Sequence, residues 1–163
     1  TVGAEHRLGG LEKSVEAGTV SYDPANHEQM VHTRAERVAR IPVPDALVDD
    51  PEGEADLLVV GWGSSWGPIT AAVRDLRAAG RHVAQVQLRT LNPLPANLDQ
   101  VLHRYRRVIA PEVNLGQLAL VLRAKYLVDV RTFSKVRGQP LPVGELTQYL
   151  AGHLDEIEQE ARR

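Results

Sequence analysis

From Ala55 onward the apolar residues of this chain alternate between two spacings. Leu57-Leu58-Val59-Val60 is a short unbroken apolar run, which predicts a strand buried on both faces, as in a parallel sheet. Val83–Leu88, Arg107–Ala110 and Val128–Phe133 read as the further strands of the alternation. Between them the spacing becomes helical. Pro68–Ala79 places Ile69, Ala72, Val73 and Leu76 on one face, with Gly80 as its stop, and Ala96–Tyr105 aligns Leu98, Val101, Leu102 and Tyr105. Leu115–Tyr126 and a final segment from Val143 to Glu160 follow the same rule. Strands alternating with helices of this length predict βαβ units joined by right-handed crossovers. The fold class read from the pattern is α/β, an open, doubly wound parallel sheet over residues 55–163.

The first 54 residues read as an N-terminal extension of a different character. Asp23-Pro24 supplies an N-cap and a first-turn proline for a helix running to about Ile41, with Met30, Val31, Ala35, Val38 and Ile41 as a thin apolar stripe. His27 and His32 are five apart, poor spacing for two ligands on one helical face, and read as surface histidines. Residues 1–21 are Gly-rich without a period, so they are expected to be disordered or to lie against a neighbouring domain or subunit. Glu5 and His6 within them read as a solvated loop pair. Pro42 and Pro44 end the helix, and Asp49-Asp50-Pro51-Glu52-Gly53-Glu54 reads as an acidic linker at the boundary of residues 1–54 and 55–163.

Composition narrows the function classes. Hydrophobic content of 43% and charged content of 25% are those of a soluble globular protein, expected in the cytoplasm. A net charge of −2 without a basic stripe argues against nucleic acid, and no apolar run approaches a membrane span. With no cysteine, the chain can hold no thiolate zinc site and no iron–sulfur cluster of its own, and no metal ligand set emerges. The start at Thr1, without Met, reads as a piece of a longer protein.

The candidate chemistry lies at the strand ends, where open α/β sheets bind ligands. After the first predicted strand come Gly61-Trp62-Gly63-Ser64-Ser65-Trp66-Gly67-Pro68, a turn leading into a helix whose first residue is expected to be Pro68. Such a turn either merely shapes the junction or presents backbone N–H groups to an anion. The glycine spacing departs from the dinucleotide fingerprint. The second strand also ends Gln87-Leu88-Arg89 with no carboxylate for a ribose, which sets NAD aside. Arg89 and Asn92 follow that strand, while Glu112 and Asn114 follow the next. The candidate cofactor contacts are therefore Gly63, Ser64, Ser65, Arg89, Asn92 and Asn114, although Asn114, just before Leu115, also suits a helix cap. No catalytic triad or nucleophile elbow is present.

Several stretches carry a resemblance. Gly9-Gly10-Leu11-Glu12-Lys13, Ser21-Tyr22-Asp23-Pro24-Ala25-Asn26-His27, Val60-Gly61-Trp62-Gly63-Ser64, Leu91-Asn92-Pro93-Leu94-Pro95 and Pro111-Glu112-Val113-Asn114-Leu115-Gly116-Gln117-Leu118 occur in this order along nearly the whole chain. Together with Leu122–Asp129 they resemble the C-terminal part of the alpha subunit of 2-oxoglutarate:ferredoxin oxidoreductases, within the 2-oxoacid:acceptor oxidoreductase family. The resemblance implies a transketolase C-terminal-like domain. It also implies a beta subunit as partner in an alpha2beta2 assembly, and ferredoxin as electron acceptor. Thiamine diphosphate with Mg and a [4Fe–4S] cluster would lie mainly outside this chain, leaving coenzyme A as the possible contact of the rim. The glutamate that activates thiamine would lie upstream of Thr1, so this piece alone is expected to be inactive. Departures at Ser65-Trp66, Leu94 and Val113 keep the fold but leave the 2-oxoacid open. The alternative is a non-catalytic assembly domain of a pyruvate- or other 2-oxoacid-using relative.

Overall fold

A computed structural model describes residues 9–163; Glu5 and His6 lie outside the described residues. The described chain divides into two compact units, Thr1–Pro42 and Val43–Arg163. In the first, α1 (Pro24–Ala39) is capped by Asp23, whose carboxylate accepts the N–H groups of Ala25 and Asn26 at 2.7 and 3.1 Å. No residue of α1 is buried. Residues 12–21, for which no core was foreseen, are nevertheless ordered against this helix by polar contacts. A bridge joins Lys13 to Val20, and the Asn26 amide binds the N–H of Val15 and the carbonyl of Lys13. Glu12 forms a two-pronged pair with Arg34 at 3.0 and 3.1 Å and meets Nδ1 of the largely exposed His27 at 2.9 Å.

The second unit is the α/β domain. Its elements are β1 (Val48–Asp49), β2 (Leu57–Trp62), α2 (Trp66–Ala78), β3 (Val83–Leu88), α3 (Leu98–His103), β4 (Arg107–Glu112), α4 (Gln117–Tyr126), β5 (Val130–Ser134) and α5 (Val143–Ala161). The sheet order is β1-β3-β2-β4-β5, with β2 to β5 parallel. Successive residues of β2 feed opposite cores. Leu58 and Val60 pack with Leu98, Leu102, Leu118 and Leu122 on one face, while Leu57 and Val59 pack with Ile69, Val73, Leu146 and Leu150 on the other. Helices therefore cover both faces, and β2 needs apolar side chains throughout.

Two expectations change. The stretch read as an acidic linker contributes β1, antiparallel to β3 in the register Val48 opposite Val86 and Asp49 opposite Gln85. The sheet is mixed at that edge, and the division between units falls at 42/43 instead of 54/55. The cause is side-chain bonding that no hydrophobic period reveals. The Asp49 carboxylate accepts from Gln85 at 2.7 Å and from Arg77 at 3.0 Å, which holds its carboxyl below the usual range, while Ala46 exchanges two hydrogen bonds with Asn97. Secondly, α2 starts at Trp66 after a single 3-10 turn over Gly63–Ser65, so Pro68 is the third residue of that helix. The first-turn N–H groups have no partner within a helix, so proline costs nothing there either.

Candidate functional site

The order in which strands are added reverses at β2: β3 lies on one side of it and β4 on the other. The crevice beyond the carboxyl ends of β2 and β4 is the topological switch point, the usual ligand position in open sheets. In the β2–β3 register Trp62 lies opposite Leu88, so Gly63 and Arg89 leave adjacent strands side by side. Gln87 ties the two ends together by donating to the Gly63 carbonyl at 3.1 Å. Gly63 has φ +55°, a left-handed conformation that suits glycine. Gly61 is constrained by space instead. A Cβ there would stand 2.5 Å from Gln87 Oε1 and 2.8 Å from Ile69 Cδ1.

The rim candidates separate by what their polar atoms already do. Ser65 is buried, and its hydroxyl accepts the Trp62 N–H at 3.1 Å and donates to the Trp62 carbonyl at 2.7 Å. That hydroxyl closes the turn. Asn114 is likewise engaged: its Oδ1 accepts the N–H groups of Gly116 and Gln117 at 2.8 and 2.9 Å, and its Nδ2 donates to Glu112 at 2.9 Å. It closes the turn ahead of α4, whose N-cap is Gly116 and not Asn114 as expected. Gly63, Ser64, Arg89 and Asn92 are exposed. Among the described residues the side chains of Ser64, Arg89 and Asn92 make no hydrogen bond or ion pair, so a cation, an amide and a hydroxyl face solvent at neighbouring strand ends. Asn92 precedes Pro93 through a cis peptide bond. Trp66, half-exposed, opens α2 beside them.

Glu112 carries more of this rim than its sequence position suggested. It is 1% exposed, and its carboxylate accepts the N–H groups of Leu118 and Ala119 at 2.9 and 3.1 Å besides the Asn114 amide. The anion-favouring start of α4 is therefore occupied by the protein's own carboxylate. The equivalent start of α2 has no carboxylate in its first turn. Chemically the rim suits an anionic group bound at the β2–α2 turn with Arg89 as counter-charge.

Other titratable clusters lie away from this rim. Buried Arg107 reaches His153 at 3.2 Å, Glu156 at 2.5 Å and Glu160 at 2.9 Å, fastening α5 to the sheet. His153 and then Arg107 hold the Glu156 carboxyl below its usual range. The exposed Glu52, Glu54 and His82 bring three possible ligand atoms within 4.8 Å of one another, with His82 in contact with Glu52. Glu52 and Glu54 share the β1–β2 loop and His82 comes from the α2–β3 loop, so no sequence spacing announced the three together.

Comparison with known proteins identifies relatives of the chain. Residues 55–153 match the model of pyruvate:ferredoxin oxidoreductase core domain II. The chain is 53% identical over 164 aligned positions to the 2-oxoglutarate oxidoreductase subunit KorA of Mycobacterium tuberculosis, covering 98% of this chain and 25% of that protein. It is 34% identical over 139 positions to the alpha subunit of 2-oxoacid:ferredoxin oxidoreductase 2 of Aeropyrum pernix, covering 81% of this chain and 22% of the relative. Among solved structures, the 2-oxoglutarate:ferredoxin oxidoreductase from Magnetococcus marinus with 2-oxoglutarate, coenzyme A and succinyl-CoA bound superposes with a TM-score of 0.76 at 30% identity, over 92% of this chain and 27% of that one. The chain thus spans about a quarter of the length of the curated relatives it matches. With more than half of its residues matched by the family model and its fold shared, the chain belongs to the pyruvate:ferredoxin oxidoreductase core domain II family.

Proposed function

We propose that this chain is a domain of the alpha subunit of a 2-oxoglutarate:ferredoxin oxidoreductase, which decarboxylates 2-oxoglutarate oxidatively to succinyl-CoA and passes the electrons to ferredoxin in the cytoplasm. The supporting observation is identity to KorA at 53% across 98% of the chain. A match to a solved relative that binds 2-oxoglutarate and coenzyme A points the same way. Within that enzyme the domain holds subunits together and presents its rim to coenzyme A. The exposed Gly63-Ser64 turn, Arg89 and Asn92 are its contacts with a phosphate or the pantetheine arm, while Ser65 and Asn114 shape the loops that carry them.

The residues present fit coenzyme A better than the other groups of the reaction. A guanidinium beside a turn of exposed backbone suits phosphates. No thiolate is available for a [4Fe–4S] cluster, since the chain has no cysteine. Glu112, the buried carboxylate of the rim, is bonded to two backbone N–H groups and Asn114 and has no surface to offer the thiamine ring. Thiamine diphosphate with its Mg, which supplies the carbanion chemistry of decarboxylation, and the cluster are thus assigned to the remainder of the alpha chain and to the beta subunit of an alpha2beta2 assembly.

The test uses the full-length chain co-purified with its beta subunit, assayed by viologen reduction with 2-oxoglutarate and coenzyme A. Arg89→Ala is expected to raise KM for coenzyme A about tenfold, the order of one lost charge-assisted contact, with KM for 2-oxoglutarate unchanged. An unchanged KM for coenzyme A removes the rim assignment. Dye reduction with pyruvate in place of 2-oxoglutarate would move the protein to a pyruvate-using relative.

A further inference from the structure

A cluster of ligand-type side chains lies at the end of the sheet opposite the rim, where the loop before β2 meets the turn before β3. Two turns fix its backbone. Asp50-Pro51-Glu52-Gly53 closes with the Gly53 N–H donating to the Asp50 carbonyl at 3.2 Å, and Gly53 has φ +70°. Asp first, Pro second and Gly fourth are the residues such a turn favours. Across from it α2 ends at Gly80, φ +78°, whose N–H donates to the Arg77 carbonyl at 2.9 Å, while the Arg81 N–H donates to the Leu76 carbonyl at 3.0 Å. This double closure of the helix end sets the position of His82 just before β3. Glu52, Glu54 and His82 thereby bring ligand atoms within 4.8 Å of one another, with His82 Nδ1 in contact with Glu52 and 4.0 Å from Glu54.

The surrounding charges select a cation. Residues 49–56 carry the acids Asp49, Asp50, Glu52, Glu54 and Asp56. Asp49 pairs with Arg77 at 3.0 Å, Asp50 with Arg104 at 3.6 Å and Asp56 with Arg106 at 4.0 Å. Arg81, beside His82, is taken by Asp155 at 2.8 Å and Glu158 at 3.1 Å. Among the described residues Glu52 and Glu54 meet no lysine or arginine and share the one imidazole, so their charge is left uncompensated. Asp50, Glu52, Gly80 and His82 line one cavity of about 250 Å3. The Asp50 side chain is only 7% exposed; its Oδ2 accepts the Tyr105 hydroxyl at 3.2 Å, while its Oδ1 has no hydrogen-bond partner among the described residues. Gly80 also brings the carboxyl end of α2 to this cavity, and the partial negative charge of a helix end favours cations.

We propose that Glu52, Glu54 and His82 bind a divalent transition-metal ion of the zinc class, which ties the β1–β2 loop to the α2–β3 turn. An imidazole with two carboxylates is a ligand set for such ions, whereas magnesium and calcium take oxygen ligands. Bonds of about 2.1 Å place tetrahedral ligand atoms roughly 3.4 Å apart, a spacing that the exposed Glu54 side chain reaches from 4.0 Å by rotation. Three protein ligands leave the fourth position to water. The role is structural. Strand β1 is an edge of two residues held to α2 and β3 through Asp49, and the metal adds a second tie between the following loop and the same helix end.

The experiment titrates zinc chloride into the full-length protein by calorimetry at neutral pH, comparing wild type with His82→Ala and with Glu52→Gln combined with Glu54→Gln. Both variants are expected to lose one zinc per chain, or to bind it about tenfold or more weakly. His103→Ala, which removes a similarly exposed imidazole beside Asp99, is expected to bind zinc as the wild type does. Amide hydrogen exchange reads the location: zinc is expected to slow exchange over residues 50–56 and 79–83 in the wild type but not in His82→Ala. The substituted side chains are exposed, and melting without zinc checks that each variant keeps its fold. Equal zinc stoichiometry and affinity in wild type and His82→Ala overturns the site. Zinc protection confined to other parts of the chain, or binding that magnesium displaces at equal concentration, overturns it as well.

Discussion

Glu112 illustrates how far one residue's meaning depends on its partners. As sequence it is an acid at the end of a strand, one of several polar groups on the rim. In the fold it accepts from two amides of α4 and from Asn114 while 1% exposed. Removing it leaves those donors buried without partners, which costs about 1–3 kcal/mol for each unsatisfied group. Glu112→Ala is therefore expected to lower unfolding stability by about 3 kcal/mol in urea titrations, and Glu112→Gln, which keeps one acceptor, by roughly half as much. A loss below about 0.5 kcal/mol for the alanine variant would show that the carboxylate does not secure α4. Among the rim candidates, residue type alone could not separate Ser64 from Ser65. One hydroxyl faces solvent, and the other closes its own turn.

At the scale of elements, apolar periodicity placed every long helix and every parallel strand, because these elements bury one stripe or two faces and the spacing records it. It missed what side-chain bonding holds. Strand β1 depends on Asp49 with Gln85 and Arg77, and the ordered segment 12–21 depends on Asn26 and on Glu12 with Arg34 and His27. The hydrogen bonds from Arg34, then from His27, lower the Glu12 pKa from 4.5 to about 2. Because the folded value lies below the unfolded one, any contribution of this pair is complete above pH 4.5 and is lost as pH falls towards 2. Carboxyl NMR of Glu12 is expected to titrate with a midpoint near 2, and a midpoint near 4.5 would mean that the pair with Arg34 does not persist in solution.

For the whole molecule, both hydrophobic clusters lie within residues 46–157, and α1 buries no residue. A chain of residues 43–163 is expected to unfold cooperatively in denaturant. A chain of residues 55–163 loses β1, the burial of Ala46 and the bonds of Asp49 to Gln85 and Arg77, and is expected to be less stable by about 2 kcal/mol or more. Equal stability of the two chains would return the boundary to the acidic stretch. By itself the sequence determined the fold class, the element order and which loops leave the carboxyl ends of the strands. Each of these follows from local spacing: apolar period, glycine and proline punctuation, and the rule that strand ends carry the loops. Only the tertiary structure decided which rim groups remain free, that Val48 and Asp49 pair as an edge strand, and that Arg107 on β4 fastens α5 to the sheet. Those outcomes depend on hydrogen bonds and burial between residues distant in the chain, which no local pattern encodes.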